Sequence, residues 1–203
     1  MSTVYKFYSK SATTHEPCSM GGQSNWRKKL SNFWPVKIEP ETITIDGISI
    51  FNNNVFYSIE QAFHWAKYHF TVQETTINEL QDHLAHYPSI ISSVVPITDD
   101  DKYFKSTIQP FMTQVKSSSS KGNMKKLKYS LNVEQWNVAR VPIMLHLLRT
   151  RTATDSMFRS ILQASSGVLL HTDRAGVKSF WGGSDKGGTN MLGKLMMQLR
   201  KEL

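Results

Sequence analysis

The chain is short of cysteine, of long apolar runs and of acidic charge, and each shortage closes off a class of protein. Its one cysteine, Cys18, excludes an internal disulfide and fits a reducing, intracellular compartment. One cysteine among seven scattered histidines gives no zinc-ligand spacing, so no metal site is expected. The apolar runs fall far short of the ~20 residues a membrane-crossing helix needs. The opening residues are polar and show no secretory signal, so a cytoplasmic location with no membrane partner is expected. No Walker loop, dinucleotide fingerprint, nucleophile elbow or zinc-protease motif is present, and no internal repeat. With 16 acidic against 24 basic residues, the formal net charge is +8. That balance favours an anionic partner such as a nucleic acid, a nucleotide or a sugar phosphate. No lysine-rich tail or arginine-rich arm carries the charge, which is expected to be spread over the surface. What is there suits a globular protein with a sizeable core: 203 residues, 39% of them hydrophobic, with ten Phe and five Trp.

The most informative stretch is 58–70, S-I-E-Q-A-F-H-W-A-K-Y-H-F. Ser58 followed by Gln61 forms a capping-box pattern ahead of apolar periodicity. At about 100° per residue, Ile59, Ala62, Phe63, Ala66 and Phe70 fall in one arc that should face the core. Glu60 and Lys67 are seven apart and nearly in line, with His64 between them, at the edge of that arc. A Glu and a Lys held there can supply a proton acceptor and a cation or amine nucleophile. The same pair also fits a solvated helix edge with a weak salt bridge.

Around this helix, residues 4–8 alternate and read as a strand, and 9–30, with the basic run Arg27-Lys28-Lys29, read as a loop or inserted excursion. Strands at about 43–45 and 48–51 are joined by Asp46-Gly47. A second helix is expected at 73–86, where His83 and His86 read as surface histidines. Asp99-Asp100-Asp101 read as a helix start or solvated cluster. Ser117 to Lys128 reads as a mobile basic loop whose lysines either contact phosphates or merely solubilise it. Asn132 and Gln135 open a helix to about Arg149, in which Pro142 should make a bend or a second start. Thr154 or Asp155 starts another, ending near Gly167. Residues 168–170 form a buried strand and 171–181 a loop. Thr189 or Asn190 caps a last helix with Met191, Leu192, Leu195, Met196 and Leu199 as its core face. The glycines leading into it, Gly182-Gly183 and Gly187-Gly188, offer backbone amides to an anion or form an ordinary loop.

Taken in order, F-Y-S at 7–9, S-N-F-W-P at 31–35, D-G at 46–47, S-I-E-Q-A-F-H-W-A-K at 58–67, W-N-V-A-R at 136–140, F-W-G-G at 180–183 and G-G-T-N-M-L-G-K-L-M-M-Q-L-R-K-E-L at 187–203 resemble the NADAR (YbiA-like) family. The resemblance spans nearly the whole chain, with extra length at about 10–30 and 88–130. It implies a single, largely helical α+β domain with a few short strands. It also implies an N-glycosidase acting on a base nitrogen joined to C1 of a phosphorylated ribose. The implied substrates are ribosylamino-pyrimidine phosphates or ADP-ribose on guanine, including ADP-ribosylated nucleic acid, and no cofactor is implied.

By position, the resemblance makes Glu60 and Lys67 the catalytic pair, matching the family's S-x-E-H-x-F-Q-x-x-K helix. Glu60 would stabilise charge at C1 and orient or deprotonate water. Lys67 would assist the leaving base or attack the opened sugar as a Schiff base. Asn32 would bind ribose hydroxyls, and Trp136 or Trp181 would stack on the base. Arg140, where the family has lysine, would hold phosphate together with amides near Gly188 and Asn190; Gly182 and Gly193 match the closing segment. The chain departs from the pattern at an acidic pair. Leu170 or His171 stands where a glutamate is expected and Lys178 where an aspartate is, with Asp173 nearby. Such a departure implies altered substrate, weakened turnover or a binding role for ADP-ribose or a nucleotide.

Overall fold

The computed structural model describes residues 3–8, 10–11, 16–72, 102, 104–118, 120–126 and 130–203. The helix expected at 73–86, its His83–His86 pair and the aspartates at 99–101 lie outside the described residues. In chain order the described elements are β1 (Val4–Phe7), β2 (Ser19–Met20), β3 (Gln23–Ser24), α1 (Trp26–Lys29), β4 (Ile43–Ile45), β5 (Ile48–Ile50), α2 (Ile59–Tyr68) and β6 (Thr71–Val72). A π-helical turn (Phe104–Ile108) leads into α3 (Gln109–Ser118) and α4 (Lys121–Lys126). Then come β7 (Ser130–Leu131), α5 (Val133–Thr154), α6 (Ser156–Ala164), β8 (Val168–His171), a 3₁₀ turn (Gly176–Lys178) and α7 (Met191–Arg200). The class is α+β, largely helical with short strands, as the motifs imply.

The chain divides into two compact units: Met1–Trp34 with Arg151–Leu203, and Pro35–Thr150. In the first, β1 and β8 pair in parallel, with Val4 opposite Val168 and Phe7 opposite His171. Leu169 and the α7 residues Leu192, Leu195, Met196 and Leu199 are buried, so the short sheet has an apolar helix face to cover it. Met191, expected on that face, is only half-buried. α6 starts at Asp155, whose carboxylate accepts from the Phe158 N–H at 3.0 Å, as the capping signal predicts. Arg151 is fully buried and donates to Asp155 Oδ2 (3.0 Å) and to the carbonyls of Ser31 and Lys29. Its guanidinium lies over the Phe158 ring. A desolvated cation persists there because every face of it is compensated.

The stretch expected as a solvated loop at 9–30 is more ordered than its polarity suggests. β2 and β3 form a hairpin around Gly21-Gly22, and Arg27, Lys28 and Lys29 sit in α1 as buried side chains. Arg27 donates to the carbonyls of Glu16 and Pro17 and stacks on Trp26, and Lys29 Nζ donates to Gln23 Oε1 at 3.1 Å. Long cationic side chains are tolerated inside when their stems pack and their heads find oxygens.

In the second unit, β4 and β5 form the expected antiparallel hairpin with Asp46 and Gly47 at positive φ. α2 starts where the capping box places it: Ser58 Oγ accepts from Gln61 N–H at 3.0 Å, and Gln61 Oε1 accepts from Tyr57 N–H at 2.8 Å. Ile59, Ala62, Phe63, Ala66 and Phe70 are all buried. One expectation is corrected here and one is narrowed. Much of Ser117 to Lys128 is helical, because Phe111, Met112, Val115 and Met124 are buried and hold α3 and α4. Of the bend and the second start expected at Pro142, the second start is excluded, since α5 runs from Val133 to Thr154 with Pro142 inside it. The proline is exposed, while Ala139, Ile143, Met144, Leu147 and Leu148 are buried. That stripe offsets the ~3 kcal/mol an internal proline costs.

Candidate functional site

The ionisable groups of α2 lie where helix periodicity puts them, at the border of the buried arc. Glu60 is only 7% exposed. A carboxylate that far from water needs donors. His64, one turn on, brings Nε2 to 3.0 Å from Glu60 Oε1, and Lys116 of α3 reaches the same oxygen at 3.8 Å. α3 is fixed on this side of α2, where Ser58 Oγ also contacts Met112 Sδ at 3.2 Å.

Lys67 lies two turns beyond Glu60 on the same helix, about 10 Å along the axis. Burial pushes its amine below the ordinary lysine value of 10.5. That raises the share of uncharged amine at neutral pH, which suits a nucleophile or a proton shuttle. Trp136 is buried against Phe63 (5.1 Å between ring centroids) and Phe70 (5.7 Å), so it backs the apolar face of α2. Its helix opens on Asn132, whose Oδ1 accepts from Gln135 N–H at 3.2 Å. Arg140, one turn after Trp136, is half-buried, and desolvation lowers its pKa from the ordinary arginine value. A guanidinium stays cationic at neutral pH regardless.

In the other unit, the closing-segment residues are brought together by backbone pairing. Asn190 adopts a left-handed conformation ahead of α7, and its side chain does not cap the helix. Instead Oδ1 accepts from His171 N–H at 3.0 Å and Nδ2 donates to the Leu169 carbonyl at 2.8 Å, so the amide serves the free edge of β8. Asn190, one of the two expected residues, therefore stands at the cap position of α7 with its side chain engaged elsewhere.

Gly182 and Gly193 are glycines because of close approach. A Cβ on Gly182 would lie 2.7 Å from an Asp173 oxygen, and one on Gly193 would lie 2.1 Å from the Leu169 carbonyl. Gly188 has φ +121° and passes close to Gly183. Trp181 is half-buried, edge-on to Phe180.

Asp173 lies near the position of the expected acid but is bound into its own turn. It accepts from the N–H groups of Ala175 and Gly176 and from the Ser179 hydroxyl, and Ser179 Oγ in turn accepts from Gly182 N–H. His171 follows with its ring against Phe7 and Tyr8, and Lys178 is exposed in the 3₁₀ turn. Asn32 is buried just after α1.

The pairing of Glu60 with His64 is visible in sequence as an i, i+4 spacing. What spacing could not show is Lys116, more than fifty residues away. Among the described residues no group of three His, Cys, Asp or Glu is placed to hold a metal ion, and no described helix is long and apolar enough to cross a membrane.

No family model and no curated protein sequence matches the chain. Among solved structures, the NMR structure of the E. coli protein YbiA is similar, with a TM-score of 0.54 at 17% identity. The alignment covers 99% of this chain and 84% of that one. At that identity the likeness is one of fold.

Proposed function

We propose that this protein is an N-glycosidase that hydrolyses the bond between a base nitrogen and C1 of a phosphorylated ribose. The observation that carries the reading is a buried carboxylate, Glu60, on the same helix as a lysine whose amine burial shifts toward the neutral form. In the proposed reaction the C1–N bond breaks, its electrons pass to the base nitrogen, and positive charge builds on C1. Glu60 stabilises that charge and takes a proton from the incoming water, whose oxygen bonds to C1. The leaving nitrogen gains a proton, which in this reading comes from Lys67 in its ammonium form. In the alternative route Lys67 adds to the opened sugar aldehyde as a Schiff base. Borohydride trapping separates the routes, since only the second leaves a sugar bonded to Lys67.

Substrates of the proposed class carry phosphate. Residues 102–133 hold seven lysines and no acidic residue, so the excess charge is less evenly spread than the absence of a basic tail suggests. Lys102, Lys105, Lys116, Lys125 and Lys126 are exposed along that segment. With Arg140 they offer a surface for phosphates, which suits ADP-ribose on guanine, free or in a nucleic acid, as well as a ribosylamino-pyrimidine phosphate. In the other unit, the N–H groups of Gly182 and of Thr189 to Leu192 are bonded to the chain's own oxygens, which counts against the expectation that amides near Gly188 and Asn190 hold phosphate; Asn32 and Trp181 are the side chains offered to a sugar or a base.

The test is release of ADP-ribose or ribose phosphate from ADP-ribosylated guanine, free and in oligonucleotides, alongside ribosylamino-pyrimidine phosphates. Release that persists unchanged in Glu60→Gln would remove Glu60 from the mechanism. A second reading, a nucleotide-binding protein with weakened turnover, is favoured by one observation. Asp173, the carboxylate nearest the departed acidic pair, is committed to holding its own turn. Tight binding of ADP-ribose with no release from any substrate would establish that reading.

A further inference from the structure

We infer that His64 is a positioning residue for Glu60, holding the carboxylate through Nε2–H in the orientation the reaction uses; the inference rests on the reading of Glu60 as the group that handles water. An ionised carboxylate only accepts hydrogen bonds, so at 3.0 Å the shared hydrogen belongs to His64 Nε2. Lys116 Nζ stands at 3.8 Å on a long, largely exposed side chain, a distance at which attraction is screened and the carboxylate's orientation is not set. Lys67, on α2 itself, lies two turns further along.

Gln61, the other polar neighbour on α2, is occupied elsewhere: its backbone N–H goes to Ser58 and its side-chain oxygen accepts from Tyr57. The His64 ring is itself held edge-on to Phe63, with 5.9 Å between centroids, and Phe63 packs on Trp136. The apolar wall behind α2 is thereby coupled to the carboxylate through one imidazole. A glutamine side chain at position 64 can bring its Nε2 to the place of the imidazole Nε2. Position 64 therefore needs a donor at that reach, with or without a titratable ring.

The test uses three full-length proteins, wild type, His64→Gln and His64→Leu, with His64→Ala replacing the leucine variant if that one fails to fold. The Glu60 carboxyl is titrated by carbon-detected NMR in each, and kcat and KM are measured on whichever substrate the wild type cleaves. Loss of the donor in His64→Leu is expected to move the carboxyl midpoint upward and to lower kcat by about 10- to 100-fold, as for a hydrogen bond to a charged group. KM is expected to stay within about twofold, and His64→Gln to restore both readouts. An unmoved midpoint in His64→Leu, or a kcat that glutamine fails to restore in a folded protein, would overturn the assignment. If no substrate is cleaved by the wild type, the glycosidase reading fails, and the titration alone still decides whether His64 holds Glu60.

Discussion

Two stretches of this chain carry its most distinctive residues, and they use polar side chains in opposite ways. In α2, Glu60 and His64 bring ionisable groups within hydrogen-bonding distance of each other in a poorly solvated setting, with Lys67 desolvated on the same helix. From Leu169 to Gly193, the described bonds of the Asn190 and Asp173 side chains go to backbone groups, apart from one to the Ser179 hydroxyl. Gly182, Gly183, Gly188 and Gly193 there mark backbone passing against backbone or a neighbouring side chain. A polar side chain bonded to a main-chain group is part of the architecture. A carboxylate held by other side chains keeps chemistry available, because its partners can exchange protons or move.

The largest expected effect that would sharpen this contrast is on turnover. Glu60→Gln keeps the shape of α2 and should lower the rate on a cleaved substrate by about 10²- to 10⁴-fold, with a melting temperature close to wild type. The opposite pattern is expected at Gly193→Ala. The added carbon meets the Leu169 carbonyl at 2.1 Å, and forcing that contact apart should cost about 3 kcal/mol or more of stability in denaturant unfolding. Asn190→Leu should come next. It strips partners from the His171 N–H and the Leu169 carbonyl, at about 1–3 kcal/mol for each group left unsatisfied. Rate per folded molecule serves as the control, and a strong loss of rate with unchanged stability would move Asn190 into the chemical group.

The smallest effect is a pH dependence at Lys67. Its folded-state pKa lies below 10.5, so between the two values the unfolded chain holds a proton that the folded chain has released. Stability should therefore rise with pH across that window, and Lys67→Met should flatten the rise. Urea midpoints measured from neutral to alkaline pH in both proteins check it.

Much of this contrast was legible in the residues. The Ser58–Gln61 cap, the buried arc from Ile59 to Phe70 and the i, i+4 placement of Glu60 and His64 all follow from helix periodicity, because these contacts lie within one element. The Asn132–Gln135 and Asp155 helix starts were legible for the same reason. Legibility fell where distant parts of the chain decide the outcome. Arg27 and Lys29 look solvated until their oxygen partners and aromatic neighbours are seen, and Lys28 until it is found buried beside them. Pro142 offers a second helix start until the apolar stripe on both sides of it is found buried within one helix. Asn190 does stand at the cap position of α7, yet the β8 edge, some twenty residues earlier, claims its amide.

The chain by itself determined the elements whose energetics are local: helix starts set by side chain to backbone bonds a few residues apart, and the hairpin turn at Asp46-Gly47. The row of acid, imidazole and amine along α2 belongs with them, since about 3.6 residues per turn leave no other arrangement. Tertiary structure alone decided which polar groups lose water and what replaces it. Desolvation depends on everything packed around a group, and so does the choice between a carboxylate held by other side chains, as at Glu60, and one bonded into a turn, as at Asp173.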